Sequence, residues 1–262
     1  LLLISIIIVY RIIDNLFFLF SAQVISVIFA TSASFQAHTH YLTTDIPVMC
    51  AMLIGFYFAH KILFEQKLKY YLWAGFFTGL ATATKYNGLA IGIALFVAHA
   101  LSLNKFPSKD LLFSKKLTLG LIMVVLGFIV CNPFSILDYD RFIIDFAYNY
   151  IVTPVYGGQS GGNSFLPFLA TLPNLIGWPS LTLLIIAIPA SLIISLKRGK
   201  LPLEKKAIVL LLCVFILYFY KFGSEPRIVP RFVLPIVPYL LMMQAPLLQR
   251  LQSRRIILYI VL

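Results

Sequence analysis

The residues best suited to chemistry lie in a short polar segment between two long apolar segments. This segment spans residues 37–47 and holds His38, His40 and Asp45 among several hydroxyl groups. Moving a charged side chain to the middle of a bilayer costs about 2.5–3.5 kcal/mol, so such a cluster at the mouth of a membrane span usually marks a polar cavity. Carboxylate and imidazole groups exchange protons and bind metal ions, and we therefore predict that a molecule is bound or converted here.

The composition defines the class of protein that must position these residues. Of the 262 residues, 61% are hydrophobic and 11% are charged, and the mean hydropathy is +0.95. A soluble domain carries about 25% charged residues. Apolar runs of about 15–20 residues recur along the chain, so we predict an all-α polytopic membrane protein. About ten transmembrane segments are expected, the first and last of them truncated, at residues 1–10, 16–35, 46–60, 70–84, 88–103, 117–133, 175–196, 207–222, 232–248 and 256–262.

The net charge of +12 does not indicate nucleic-acid binding, because its distribution matches a membrane topology. When the loops are assigned alternately to two sides, sixteen of the 21 Lys and Arg residues fall on one side and five on the other. Loops rich in Lys and Arg stay in the cytoplasm. His40 and Asp45 are therefore predicted to face outward from the plasma membrane. The three cysteines lack metal or redox spacing and are interpreted as core thiols.

This topology depends on the interpretation of residues 70–104. A single helix of about 35 residues would be about 52 Å long and would place the flanking basic loops on opposite sides. A hairpin that turns at residues 85–88, where Asn87-Gly88 is a strong turn signal, keeps both loops inside. Each arm would reach about 23 Å, short of a 30 Å core, so Lys85 would lie in a recess on the side of Asp45. Alternatively, Lys85 extends from a helix end to the membrane interface.

Three cations lie on the outer side, which basic residues otherwise avoid, namely Lys221, Arg227 and Arg231. The guanidinium group of arginine matches phosphate oxygens with two parallel hydrogen bonds. The partner of these cations is either the headgroup of an anionic lipid or the phosphate of a lipid-linked substrate. The sequence leaves both alternatives open.

Residues 132–174 are predicted to form an outer loop with two features. Residues 135–152 are predicted as an interfacial helix, because Asn132-Pro133 ends the preceding span and Ser135 with Asp138 matches a capping box. The polar residues at positions 138, 141, 145 and 149 follow a helical spacing and are interpreted as a solvated face. Residues 157–163, GGQSGGN, lack the features of a phosphate loop and are predicted as a flexible lid or a plain linker.

Three pieces of the chain, taken in order, resemble one known family. They are residues 40–47, HYLTTDIP; residues 74–88, AGFFTGLATATKYNG; and residues 231–238, RFVLPIVP, with Asn132-Pro133 between the last two. Together they resemble GT-C superfamily glycosyltransferases of the family 39 type, which include protein O-mannosyltransferases and the aminoarabinose transferase of lipid A. The resemblance covers most of the chain, as a fragment that lacks the first span and the first outer loop.

The resemblance implies the transfer of a sugar, with inversion, from a polyprenyl-phosphate donor to a protein, lipid or glycan acceptor on the outer face of the plasma membrane. In this family the proposed general base lies in the first outer loop, which would precede Leu1. Asp45 matches a second acidic position, with His40 beside it, and these two residues are the catalytic candidates. Lys85 and Arg231 correspond to basic residues near the donor phosphate, where cations would stabilise the charge on the leaving group.

Asp45 could serve such an enzyme in several ways. It could orient the acceptor, hold a cation near the phosphate, or bind a divalent metal ion together with His40, although a complete metal site needs three or four ligands. It could also cap the helix that follows, in which Pro47 would occupy the second position. Tyr86 and Arg227 complete the predicted substrate-binding set.

Two other classes of protein remain alternatives. A transporter or flippase of a phosphate-bearing amphiphile would show internal repeats and ionisable residues near the midplane of several spans. Neither is found in the sequence, because the polar residues gather at one face. A structural or assembly subunit of a membrane complex would leave Lys85, Arg227 and Arg231 on the outer side without an explanation.

Overall fold

The structure is a computed structural model that describes residues 1–17, 19–41, 43–103, 111, 114–148, 163–195, 203–225 and 229–253. Every regular element in these ranges is a helix, which confirms the predicted all-α fold. Two 3₁₀ helices lie at Tyr86–Ile91 and Pro230–Ile236. The α-helices are α1 Leu2–Leu16, α2 Leu19–Thr31, α3 Ala33–His40, α4 Asp45–Ile62, α5 Leu68–Thr84, α6 Gly92–Ser102, α7 Lys115–Cys131, α8 Phe134–Leu137, α9 Tyr139–Ala147, α10 Phe165–Ile176, α11 Trp178–Ser195, α12 Leu203–Gly223, α13 Val237–Met242 and α14 Ala245–Ser253.

Within the described residues, three helical segments are long and apolar enough to cross a membrane, namely Asp45–Ile62, Lys205–Gly223 and Pro230–Gln252. Two further pairs of consecutive helices meet at a bend, α2 and α3 at 51° and α10 and α11 at 119°. If each bent pair forms one span, the described residues hold five candidate spans. The membrane class of the protein is thus confirmed. The expected number of about ten spans stays a prediction.

Helices α5 and α6 form the predicted hairpin, and the interpretation as one long helix is wrong. Near the open end of the hairpin, the amide Nε2 of Gln66 donates a hydrogen bond to the carbonyl of Ser102 at 2.7 Å. Further along, the hydroxyl of Tyr71 and Nδ1 of His99 lie 2.8 Å apart. Pairs of residues whose numbers rise on one arm and fall on the other define an antiparallel hairpin, so the chain returns to the side from which it came.

Gly88 allows the chain to turn tightly at the tip of this hairpin. A Cβ atom at position 88 would lie only 2.4 Å from the carbonyl oxygen of Ala81, which no side chain could tolerate. A similar close approach joins α5 to α7, because a Cβ atom on Gly79 would lie 2.2 Å from the carbonyl oxygen of Val124. Small residues that permit such contacts between backbones are typical of helix packing in membranes.

The contacts of four helices define two opposite ends of the bundle. At one end, which we call the basic end, Nζ of Lys61 donates to Oδ1 of Asn15 at 3.1 Å and Nζ of Lys116 donates to the carbonyl of Gln66 at 2.7 Å. The segment before α5 and the start of α7 therefore lie on the same side, as the hairpin requires. Asp45, at the start of α4, and Lys85, just after α5, mark the other end, which we call the site end.

The predicted interfacial helix at residues 135–152 is wrong as a single helix. The chain forms α8 and α9 with a break at Asp138, whose backbone has φ −132° and ψ 60°. The capping box is also wrong, because Ser135 lies inside α8, whose N-cap is Pro133, and no side-chain hydrogen bond caps α8 or α9. Asn149 and the glycine-rich residues 157–162 lie outside the described residues.

Candidate functional site

Asp45 and Lys85 form an ion pair at the site end. Asp45 begins α4 and Lys85 follows the last residue of α5, so the antiparallel packing of these two helices brings residues forty positions apart together. Nζ of Lys85 lies 2.6 Å from Oδ1 of Asp45. The side chain of Asp45 is only 2% exposed and that of Lys85 is 24% exposed. Asp45 is therefore a buried acid. Among the described residues it forms an ion pair with Lys85, the lysine that the sequence predicts in a recess on the same side.

The aromatic ring of Phe232 lies beside both cations of the predicted phosphate site. Nζ of Lys85 is 4.4 Å from the ring centroid, and Cζ of Arg231 is 5.7 Å from the same centroid. Both distances fall within the range of about 6 Å at which a cation is attracted to an aromatic ring. The structure thus brings Lys85 and Arg231 to one ring and pairs Lys85 with Asp45, although these residues span most of the chain in sequence.

A buried tyrosine ties together the two segments that carry these cations. The amide Nδ2 of Asn87, in the hairpin tip, donates to the hydroxyl of Tyr218 at 2.9 Å. That hydroxyl in turn donates to the backbone carbonyl of Phe232 at 2.7 Å. Tyr218 is fully buried in α12, so its hydroxyl fixes the position of the hairpin tip relative to the 3₁₀ helix Pro230–Ile236.

The three charged residues differ in exposure and do not balance in charge. Asp45 is buried, Lys85 is partly exposed and Arg231 is exposed. An anion that approaches from outside therefore meets Arg231 and Lys85 before it meets Asp45. Two cations and one carboxylate leave one formal positive charge, and within the described residues no carboxylate forms an ion pair with Arg231. The arrangement is suited to bind a group with one negative charge.

The other predicted site residues have different surroundings. Tyr86 is half-buried, and its ring contacts that of Phe146 in α9 with centroids 5.2 Å apart. His40 is exposed at the end of α3, and its side chain forms no hydrogen bond or ion pair with the described part of the chain. Arg227 lies outside the described residues. Lys221, the third cation of the outer patch, forms an ion pair with Glu225.

The structure does not assemble a complete metal site among the residues that it describes. No group of three or more His, Cys, Asp or Glu side chains there could hold a metal ion. The carboxylate of Asp45 is bound to Lys85 instead. Metal binding by His40 and Asp45 therefore stays a prediction.

A cavity of about 440 Å³ lies away from these residues, where the two bent helix pairs meet. The hydroxyl of Ser32, at the first bend, donates to the carbonyl of Leu175, next to the second bend, at 3.2 Å. The cavity is lined by residues on both sides of this contact, among them Thr31, Asn174 and Leu241. None of the predicted site residues lines it, so the charged cluster and not the cavity locates the candidate chemistry.

Sequence reasoning missed Phe232, Tyr218 and Asn87. Phe232 is one of 23 phenylalanines and Tyr218 one of 14 tyrosines, so neither type stands out in an apolar chain. Asn87 is recognisable in the sequence only as part of the Asn87-Gly88 turn signal. The one available signal was the position of Phe232 next to Arg231, but its approach to Lys85 depends on tertiary packing.

The helical membrane fold and the two cations near a buried acid suit a membrane protein that binds an anionic group. A family model described as dolichyl-phosphate-mannose-protein mannosyltransferase matches residues 1–136, just over half of the chain. The chain belongs to this family, and with it to the GT-C glycosyltransferases that use a polyprenyl-phosphate-linked sugar. No curated protein and no solved structure matches the chain. The matched region includes Asp45 and Lys85, whereas Phe232 and Arg231 lie beyond it.

Proposed function

We propose that this protein transfers a sugar, with inversion, from a polyprenyl-phosphate donor to a protein, lipid or glycan acceptor on the extracytoplasmic face of the plasma membrane. The observation that supports this proposal is that Lys85 and Arg231 both lie at the ring of Phe232, while Lys85 is also paired with the buried Asp45. A phosphodiester donor carries one negative charge, which matches the one positive charge left over in the cluster. In this proposal the donor phosphate binds between Lys85 and Arg231, with Tyr86 and Arg227 as further substrate-binding residues.

The two cations would act mainly on the leaving group. During transfer, the bond between the anomeric carbon and the phosphate oxygen breaks while the acceptor oxygen or nitrogen forms the new bond to that carbon. The electron pair of the broken bond stays on the phosphate, whose negative charge rises. Cations that are already in place lower the energy of this transition state, because they need no reorganisation when the charge develops.

Asp45 is proposed to hold Lys85 in position rather than to take the proton from the acceptor. Its side chain is 2% exposed and its oxygen already binds Lys85 at 2.6 Å, so an acceptor cannot reach it in this conformation. This corresponds to the role of holding a cation near the phosphate. The base that accepts the proton would be another residue, for which His40 and an acid upstream of Leu1 stay predictions.

The proposal is tested with the full-length protein in nanodiscs, a radiolabelled polyprenyl-phosphate mannose as donor, and an extract of cell-envelope proteins and lipids as acceptor. The release of polyprenyl phosphate is measured for the wild type and for Lys85→Met and Arg231→Met. We expect each variant to lose about 100-fold in rate, as when one stabilising donor is removed from an enzyme active site. Lys69→Met, at the basic end, is the matched control and should keep the wild-type rate.

Two outcomes would contradict the proposal. If the two variants released product as fast as the wild type, the cations would not contact the leaving group. If the wild type, reconstituted in sealed vesicles, moved the donor across the bilayer without consuming it, the transporter alternative would be correct. Repeating the assay with a chelator and with added divalent metal tests whether the predicted metal ion takes part.

A further inference from the structure

We propose that Phe232 is a positioning residue, whose ring holds the side chains of Lys85 and Arg231 close together before the donor phosphate binds. This inference rests on the proposed function, in which these two cations bind the phosphate. Phe232 is not one of the residues predicted from sequence to contact the substrate, and it carries no charge. Both cations nevertheless lie within about 6 Å of the centroid of its ring, and this needs an explanation.

The two cations repel each other and have too little negative charge nearby to compensate. Asp45 forms an ion pair with Lys85 only, and among the described residues Arg231 has no such partner. The face of an aromatic ring carries partial negative charge, and it attracts cations without forming a salt bridge. With Lys85 at 4.4 Å and Arg231 at 5.7 Å from its centroid, the Phe232 ring can attract both side chains toward one place.

The ring is itself held firmly enough to serve as a reference point. The backbone carbonyl of Phe232 accepts a hydrogen bond from the buried hydroxyl of Tyr218 at 2.7 Å. The Phe232 ring packs against Phe222 with centroids 5.8 Å apart, and Phe222 packs against Tyr218 at 4.7 Å. Because Tyr218 also accepts a hydrogen bond from Asn87, the ring is connected to the same hairpin tip that carries Lys85.

A ring suits this task better than a second carboxylate would. The attraction of a cation to a ring is weaker than a charge-assisted hydrogen bond to a phosphate oxygen, so the donor can take over both cations when it binds. A carboxylate in the same place would compete with the phosphate and would remove the remaining positive charge. The ring thus orders the two side chains in advance, which lowers the entropic cost of binding the donor.

The inference is tested by replacing Phe232 with phenylalanines that carry one, two or three fluorine atoms on the ring. Fluorination removes negative charge from the face of the ring and changes its volume very little. The full-length protein is placed in nanodiscs, and the Kd of a short-chain polyprenyl monophosphate is measured. We expect the Kd to rise in steps, by about tenfold in total for three fluorines, a size consistent with the loss of a cation–ring contact.

Phe222 provides the matched control, because it packs against Phe232 and Tyr218 and no cation lies over its ring among the described contacts. The same fluorinated residues at position 222 should change the Kd less than twofold. An unchanged Kd for the position 232 series, or an equal rise for the position 222 series, would overturn the inference. Phe232→Tyr, which keeps an aromatic face, should bind nearly as well as the wild type, whereas Phe232→Leu should not.

Lys85→Met and Arg231→Met separate this inference from the proposed function. If both variants bind the polyprenyl monophosphate as well as the wild type does, the cations are not a phosphate site and the proposed function fails. If both lose binding while the fluorinated series keeps it, the phosphate site stands and only the role of Phe232 is wrong. Melting temperatures measured in parallel identify any variant that fails to fold.

Discussion

An ion pair lies at each end of the helix pair α4 and α5, and the two pairs are almost equally long. At the basic end, Nζ of Lys67 lies 2.7 Å from Oε2 of Glu65, and at the site end, Nζ of Lys85 lies 2.6 Å from Oδ1 of Asp45. Their surroundings differ strongly. The side chains of Lys67 and Glu65 are 60% and 48% exposed, whereas those of Lys85 and Asp45 are 24% and 2% exposed.

Distance alone therefore says little about what an ion pair does. Glu65 and Lys67 are neighbours in a turn and would meet in a short peptide, while Asp45 and Lys85 meet only when α4 and α5 pack against each other. Water screens the exposed pair and leaves it little net effect, whereas breaking a buried pair leaves an uncompensated charge. A second cation, Arg231, lies near the buried pair, and this additional charge is what makes the site end a candidate for binding an anion.

The largest difference between the two ends should be their accessibility from opposite sides of the membrane. We expect a cysteine introduced at Tyr41, which is 63% exposed beside the site end, to react with a membrane-impermeant maleimide in intact cells. A cysteine at Lys67 should react only after the cells are permeabilised, because basic loops face the cytoplasm. Labelling is measured by gel shift in a background where Cys50, Cys131 and Cys213 are replaced by Ser. Reaction at both positions from one side would contradict a membrane-spanning α4.

The second prediction concerns the loss of one partner of the buried pair. Asp45→Asn leaves Lys85 without its carboxylate, and we expect the protein to lose about 3 kcal/mol of stability. This is the lower end of the range measured for broken buried ion pairs, because Lys85 is partly exposed. Activity should fall by about 100-fold, since the lysine is no longer held beside the phosphate. Thermal melting and the release of polyprenyl phosphate provide the two measurements.

The double variant Asp45→Asn with Lys85→Gln separates the two effects. It removes both charges, so it should recover much of the stability without recovering activity. If activity returned together with stability, the pair would serve only to hold the fold together.

The sequence predicted this site in outline because its position follows from topology. The turn signal at Asn87-Gly88 fixed the hairpin, and the distribution of Lys and Arg placed Lys85 on the side of Asp45. The contact between Lys85 and Phe232, in contrast, joins segments far apart in sequence, and no local pattern distinguishes this phenylalanine from the others. Local signals therefore predicted the positions of the charged residues but not the aromatic ring that lies near both cations.

The features of the fold that the sequence did not predict have local causes. Both bends interrupt segments that are continuous in hydropathy, at Ser32 and at Gly177, whose φ of +77° suits glycine. The sequence Gly177-Trp178-Pro179 is a turn signal that the apolar run obscured. The helix begins earlier than the motif indicates, so Ser135 falls inside α8 and its hydroxyl bonds to the carbonyl of Asn132.

The third prediction compares two fully buried tyrosines, of which one hydroxyl is hydrogen-bonded and the other is not. Tyr218→Phe removes the hydroxyl that links Asn87 to the carbonyl of Phe232, and we expect a loss of about 1–3 kcal/mol because both groups lose a partner. Tyr239→Phe is the control, since within the described residues the hydroxyl of Tyr239 has no hydrogen-bond partner. Its removal should leave the melting temperature unchanged or raise it. Equal destabilisation by both variants would show that Tyr218 acts through packing alone.

The smallest effect is expected at the exposed pair of the basic end. The hydrogen bond and charge of Lys67 lower the pKa of Glu65 below its ordinary value of 4.5, and the pKa of Lys67 is raised in turn above 10.5. The stabilisation from Glu65 is therefore present above about pH 4.5 and is lost only as the pH falls through its lowered pKa. Stabilisation from Lys67 is lost only as the pH rises through its raised pKa.

Glu65→Gln should accordingly change the melting temperature by about 1 °C or less near neutral pH, because water screens the pair. The difference from the wild type should shrink further as the pH is lowered through the lowered pKa of Glu65, and also in about 1 M salt, where the Debye length is only about 3 Å. Differential scanning fluorimetry in detergent at several pH values and salt concentrations measures both trends. A loss as large as that of Asp45→Asn would mean that burial does not distinguish the two ends, and the comparison between them would fail.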